Sequence, residues 1–449
     1  MTPSPSLRAI LIAACLGFLV VQLDVSVVNV GLGALKEAFN TDLTGLQWVI
    51  NSYALPFSAL LILGGAWGDK WGAKTVFAVG FAIFTLASIG CGLANSTTQL
   101  IAMRVIQGIG AALLIPTSLT LIRVSFQDPD KRRSAVALWG ACGGIALAAG
   151  PVIGGLMIEY FGWRSVFLLN IPIGLLAIAL ILRYAPASPR VDKHIDIPGQ
   201  ISIAICVAAL TYGLTESSAQ GWVAATFSAL AVALICAVAF ILIERRVAHP
   251  MLPPHLARNA VLGSMALAGA AINLTFYGTV FVFSIYFQTV LHYDAFTTGL
   301  SFIPLTAVLT LSTLLSSRFA KRFSAPRIIT TGFSVQIIGF LALSQTSAHG
   351  SPWLLNGALM LVGIGSAMSV PSITNAMLSS VSQHDAGIAS GLMASARQLG
   401  GVIGVAVSGA MIASADATAF AQGMSNAMLL SALALLICIG VVVYVSRRP

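Results

Sequence analysis

The chain has 449 residues, 57% of them hydrophobic and only 8% charged, with a formal net charge of +9 at pH 7. Charged residues make up about a quarter of an ordinary soluble domain, so this composition excludes a water-soluble protein of the usual kind. The basic residues are scattered over short connections with no basic domain, which argues against nucleic acid as a partner and for a lipid bilayer.

Apolar runs of about 17 to 25 residues, long enough to cross a bilayer as helices, follow one another from end to end and predict about fourteen spans. They fall at 9–35, 46–67, 75–94, 100–125, 135–158, 165–183, 197–215, 222–243, 260–291, 298–317, 327–344, 352–378, 387–413 and 424–445. All six cysteines lie inside these runs and read as small core residues. In the first run Ile12-Ala13-Ala14-Cys15 resembles a lipoprotein cleavage box. Only Arg8 precedes it and the apolar stretch continues to Val30, so a retained span is expected. The same span holds Asp24, the one carboxylate placed deep within a predicted span. Hydrocarbon around a carboxylate raises its affinity for a proton, and the group also attracts cations; a standing ion pair with a buried arginine is the alternative. Gln22, Ser26 and Asn29 share a different face of this span, a candidate substrate wall.

Span two is followed by a glycine-bounded charged turn in which Gly65, Asp69, Lys70, Gly72 and Lys74 stand out. Span four carries Arg104, Gln107, Gly108 and Gly110 inside an apolar run. A charge at such depth is costly unless it is paired or faces a wet cavity. The stretch Gly108-Ile109-Gly110-Ala111-Ala112-Leu113-Leu114-Ile115-Pro116 recurs as Gly363-Ile364-Gly365-Ser366-Ala367-Met368-Ser369-Val370-Pro371, with Leu359 where the first copy has Arg104. Two halves built alike, with the charge kept in one, is the pattern of a transporter with internal repeats. Span five contains Gly150, Pro151, Gly154 and Gly155, a proline bend with room for a close neighbour.

Connections at 185–198 and 245–258 are rich in proline and charge, and they flank spans seven and eight. Because the repeat pairs span four with span twelve, these two spans are an insertion between halves. The expected division is therefore 1–190, an N-terminal six-helix half; 191–257, a linker with the two inserted helices; and 258–449, a C-terminal six-helix half. Span nine sets Asn273, Tyr277, Phe281, Ser284 and Gln288 at three- to four-residue spacing, a second candidate cavity wall. Arg397 in span thirteen lies nearer a helix end, where its stem can snorkel. One set of alternate loops holds nearly all the Lys and Arg, including Lys70, Lys74, Arg190, Lys193, Arg318, Lys321, Arg322 and Arg448; the other holds only Lys36 and Arg164. That asymmetry puts both termini in the cytoplasm.

Several of these stretches resemble signatures of the major facilitator superfamily. Gly65 to Lys74 is similar to Gly-x-x-x-Asp-Arg/Lys-x-Gly-x-Arg/Lys-Arg/Lys, with Thr75 at the last basic position. Arg104 to Ala111 resembles Arg-x-x-Gln-Gly-x-Gly-Ala, and Gly150 to Gly155 resembles the antiporter signature Gly-Pro-x-x-Gly-Gly. Leu23 to Val30, and Arg397-Gln398-Leu399-Gly400-Gly401, resemble motifs of the fourteen-helix drug:proton antiporter subfamily, with Ser26 and Val27 as mild departures and Ala394 where an asparagine is common.

The resemblance implies an all-α integral membrane protein of the major facilitator fold, six-plus-six transmembrane helices plus two inserted ones, in the plasma membrane of a bacterial cell. It implies Asp24 and Arg104 in proton or cation coupling, and Gly65, Asp69, Lys70, Gly72 and Lys74 as a gating latch between halves. Gly150, Pro151, Gly154 and Gly155 become an antiporter bend. Gln22, Ser26, Asn29, Gln107, Asn273, Tyr277, Phe281 and Ser284 are the expected substrate cavity. With no Gly-x-x-x-x-Gly-Lys-Ser/Thr loop and no metal-ligand spacing, neither nucleotide, metal nor other cofactor is expected. The expected function is proton-coupled export of small amphipathic or cationic compounds by a non-enzymatic protein acting as a monomer; a narrow metabolite exporter, or a symporter or uniporter, is the alternative.

Overall fold

The computed structural model describes residues 5–187, 196–221, 223–247, 250–309, 323–346, 352–382, 385–412 and 417–447. The predicted boundary at residue 190, the charges Arg190, Lys193, Arg318, Lys321, Arg322 and Arg448, and residues 310–317 of the predicted span at 298–317 lie outside them. The described chain is helical throughout. It comprises α1 (Pro5–Val30), α2 (Leu32–Phe39), α3 (Leu43–Trp71), α4 (Ala73–Gly92), α5 (Thr97–Ser125), α6 (Pro129–Phe161), α7 (Ser165–Leu168) and α8 (Asn170–Tyr184). Then come α9 (Ile197–Gln220), α10 (Ala224–Arg246), α11 (Pro254–Ala257), α12 (Ala260–Ile285) with a π-helical turn at Tyr286–Val290, and α13 (Ala295–Ser301). The last four are α14 (Ala325–Leu343), α15 (Pro352–Ser379), α16 (Ala386–Met411) and α17 (Ala417–Ser446). Twelve helices among the described residues are long and apolar enough to cross a membrane.

Lipid offers no water to the backbone, so helices must end on side-chain or turn partners. Asp42 accepts from the Gly45 amide at 2.8 Å, Ser96 from Gln99 at 3.2 Å and Asn259 from Leu262 at 3.0 Å. Asp128 caps α6, and the backbone amides of Lys131 and Asp130 hold its carboxyl below the ordinary range. Gly72, at φ 92, makes the sharp α3–α4 turn in a backbone conformation that disfavours a side chain.

The packing repeats as the sequence does. In the first half α1 packs on α6 and α8, and α4 on α5 and α8; in the second α12 packs on α16 and α17, and α14 on α15 and α17. The recurring glycines sit where these helices touch. A Cβ on Gly110 would lie 2.7 Å from the Phe84 amide nitrogen and 2.9 Å from the Gly80 carbonyl, and one on Gly365 would collide with the Gly332 carbonyl. Pro116 and Pro371 interrupt the two helices at matching positions. The pair α9–α10 packs with itself and α9 packs against α3 and α16, while α10 keeps most of its apolar surface outward, as a lipid-facing helix does.

One face of the bundle gathers the start of α1 with Ile122, Phe126 and Ala135, and the α3–α4 turn with the end of α8. The opposite face gathers Phe39 against Trp163, ring centroids 5.0 Å apart, and Arg164 on the Ala94 carbonyl at 3.1 Å. Toward this second face the halves are joined by two glutamines. Gln288, in the π-helical turn, accepts from the Gly33 amide at 2.5 Å and donates to the Val30 carbonyl at 2.9 Å, spanning the break between α1 and α2. Gln47 on α3 donates to the Val405 and Ala406 carbonyls of α16 at 3.2 and 3.1 Å. Each glutamine lies over a glycine of the other half, Gly33 or Gly409, where any Cβ would strike it.

Candidate functional site

Deep in the first half, five helices converge on Asp24 and Arg104, which are 2% and 1% exposed. Burying one charge without a partner is strongly unfavourable, and here each charge has the other as partner. Arg104 Nη1 is paired with Asp24 Oδ2 and donates to Gln107 Oε1 at 2.9 Å, while its Nε donates to the Val49 carbonyl at 3.2 Å. Gln107 Nε2 donates to Asp24 Oδ1 at 2.9 Å and to Ser88 Oγ at 2.7 Å. Asn170 Nδ2 donates to the same two oxygens, at 3.1 and 2.9 Å. The Tyr53 ring lies 4.2 Å from the guanidinium carbon, a cation–π contact. The carboxylate thus accepts from an arginine and two amides.

Arg104 also borders a small cavity between the halves. Val25, Ile50, Asn51 and Tyr53 line it from the first half, and Tyr277, Gln398 and Gly401 from the second. A neighbouring small cavity is lined by Ser26, Asn29, Phe276, Tyr277 and Thr306, among others. Tyr277 faces both.

Of the expected cavity residues, Ser26, Asn29 and Tyr277 therefore border open space. Gln107 is fully buried in the charge network, and Asn273 accepts from Arg397 Nε at 3.3 Å, tying α12 to α16. Phe281 and Ser284 are wholly buried, and with Gln22 they line neither cavity. The periodic stripe on α12 divides because that helix is packed against neighbours on all sides.

Lys74 donates to the Leu182 and Ala185 carbonyls at 3.0 and 2.7 Å, fastening α4 to α8 within the first half, with Gly72 at the turn beside it. Asp69 and Lys70 lie in the last turn of α3, and Gly65 touches Pro116 of α5. At the bend, Pro151 interrupts α6; Gly150 and Gly154 receive Ser26 and Val27 of α1. Gly155 lies against Ala295 and Phe296 of α13, so α6 is pressed between the halves. Ser88, Asn170 and Tyr53 are not among the site residues expected from the sequence.

A family model described as Major Facilitator Superfamily matches residues 14–405. The chain belongs to the major facilitator superfamily. Among similar curated proteins, the methylenomycin A resistance protein of Streptomyces coelicolor is 33% identical over 401 residues, covering 89% of this chain and 84% of that one. The multidrug resistance protein Stp of Mycobacterium tuberculosis is 34% identical, with 90% and 75% covered. The drug efflux pump JefA of the same organism is 31% identical, with 91% and 81% covered. In fold, this major facilitator is similar to a bacterial homolog of the human lysosomal transporter Spinster in an inward-facing, occupied conformation. The TM-score is 0.72 at 16% identity, covering 99% and 98% of the two chains. It is a multi-pass membrane transporter, not an enzyme.

Proposed function

We propose that this transporter exports small amphipathic or cationic compounds, drugs among them, from a bacterial cell in exchange for protons. The observation that carries the proposal is the buried Asp24–Arg104 pair at the edge of a cavity walled by both halves. Relatives named for drug and antibiotic resistance or efflux support the outward direction. In this reading the chain crosses the plasma membrane fourteen times with both termini cytoplasmic. The twelve apolar helices are joined by α16 and by the span beginning near residue 298, and the chain works as a monomer divided at 190 and 257.

The chemistry follows from the pair. While Arg104 and the amides of Gln107 and Asn170 hold Asp24, its charge is compensated and no proton is required. A change of state that draws α5 away from α1 removes the guanidinium from a carboxylate buried in hydrocarbon. Proton uptake then becomes the cheapest way to neutralise it. Substrate arriving in the cavity beside Arg104 and proton on Asp24 thereby favour different states, which is the thermodynamic requirement for exchange. Asp69, Lys70 and Lys74, flanked by Gly65 and Gly72, would steady the first half at the cytoplasmic face, and the bend at Gly150, Pro151, Gly154 and Gly155 would seal it against α13.

The test is efflux of ethidium from energised vesicles. Imposing a pH gradient should drive accumulation by the wild type and not by Asp24→Asn; a mutant as active as the wild type, in either direction, contradicts the proposal. A narrower exporter is favoured by the relatives named for a single antibiotic, methylenomycin A or tetracenomycin C. Export of one compound from a chemically varied panel would decide for that reading.

A further inference from the structure

Among the described residues that line the cavity between the halves, one buried polar atom has nothing to bond. Asn51, on α3, is fully buried and lines this cavity. Its Nδ2 donates to Thr215 Oγ1 of α9 at 3.3 Å, but its Oδ1 has no partner among the described residues. A buried amide oxygen left unsatisfied is costly, and native structures rarely tolerate one without a reason.

The other cavity-lining groups define what could satisfy it. Nη1 of Arg104 is engaged by Asp24 and Gln107, and its Nε by the Val49 carbonyl. Val25, Val28, Ile50, Ala54 and Val405 supply an apolar wall, and Tyr53 and Tyr277 supply aromatic faces. The space therefore presents one buried, unbonded acceptor to a largely apolar and aromatic chamber whose other polar lining groups are Arg104 and the amide of Gln398. It suits a ligand with a flat or greasy body and an N–H or O–H at one edge, such as a protonated or aromatic amine.

We propose that Asn51 is a substrate-recognition residue whose Oδ1 accepts a hydrogen bond from the transported compound, and that Thr215 of the inserted helix pair is the positioning residue that aims it. The proposal rests on the transport function above and gives the inserted pair a part in specificity. Thr215 is itself fully buried. One turn earlier on α3, Trp48 Nε1 donates to Oε1 of Glu216, the residue after Thr215, at 2.9 Å, so α9 is held to α3 by two side-chain bonds. Turning α9 or removing the Thr215 hydroxyl releases the amide that faces the chamber.

The experiment compares two cations in vesicles: ethidium, which carries amino N–H donors, and tetraphenylphosphonium, which carries none. Asn51→Leu keeps the volume and removes the acceptor; Thr215→Val keeps the shape and removes only the hydroxyl. The expected result is a rise of about five- to tenfold in KM for ethidium in Asn51→Leu. A smaller rise is expected in Thr215→Val, and tetraphenylphosphonium transport should be unchanged in both. Equal loss for both cations, or no change for ethidium, overturns the proposal. If the wild type moves neither cation, the export function itself fails. If the wild type moves both and Asn51→Leu matches it, only the role of Asn51 is lost.

Discussion

Replacing Gln288 by leucine should open the face of the bundle that Gln288 now holds shut. Its side chain makes two hydrogen bonds across the halves, with the Gly33 amide at 2.5 Å and the Val30 carbonyl at 2.9 Å. Leucine has nearly the same volume and makes neither. A net contribution of about 0.5–1.5 kcal/mol per bond gives about 1–3 kcal/mol in favour of the closed arrangement. That corresponds to a shift of roughly 5- to 150-fold in the ratio of closed to open molecules. Gln47 makes two further bonds to α16 from a different helix, so Gln47→Leu should shift the same equilibrium, and the double substitution should be close to additive. Spin labels at Asn40 and Tyr293, both exposed on this face, would report the two populations as short and long distances. A distance distribution unchanged by Gln288→Leu would refute the reasoning, as would a shift toward the short distance.

Other outcomes follow from the same geometry. Arg104→Leu leaves Asp24 buried without its cation, a loss of about 3–5 kcal/mol; thermal unfolding in detergent should show it, and adding Asp24→Asn should recover much of the loss. Gly110→Ala and Gly365→Ala should each lower the melting temperature, because the new methyl meets backbone of the neighbouring helix, whereas Gly140→Ala, with open space around it, should not. Asp128 caps α6 with a carboxyl whose affinity for a proton is lowered by the Lys131 and Asp130 amides. Its stabilisation is present above the ordinary carboxylate pKa and disappears as pH falls through the lowered value. The difference in melting temperature between wild type and Asp128→Ala should therefore persist at pH 5 and vanish only in strong acid.

The charge pair was legible in the sequence because hydrocarbon makes an aspartate and an arginine conspicuous. Asp24 and Arg104 lie in different helices, and their residue types alone nominated them for each other. The repeat was legible for a related reason, since glycines at helix contacts leave no freedom for substitution, as the collisions around Gly110 and Gly365 show. Ser88 and Asn170 were hidden because small polar residues occur in any membrane helix, and only the fold brings α4 and α8 to Asp24. Span nine misled for a geometric reason. Its polar and aromatic residues share a periodicity, but α12 is enclosed on every side, so Asn273 meets Arg397, Phe281 enters the core and Gln288 crosses to α1 and α2. Asn51 stands in an unremarkable run, Val49-Ile50-Asn51-Ser52-Tyr53, and its bonding deficit exists only in three dimensions.

The exchange of substrate for a proton at Asp24 is tested most directly by proton release. Tetraphenylphosphonium added to the purified, weakly buffered protein should acidify the solution, read with a pH indicator. Asp24→Asn should bind the cation and release nothing. Equal release from wild type and Asp24→Asn, or binding by the wild type with no release at any pH between 5 and 8, would contradict the account.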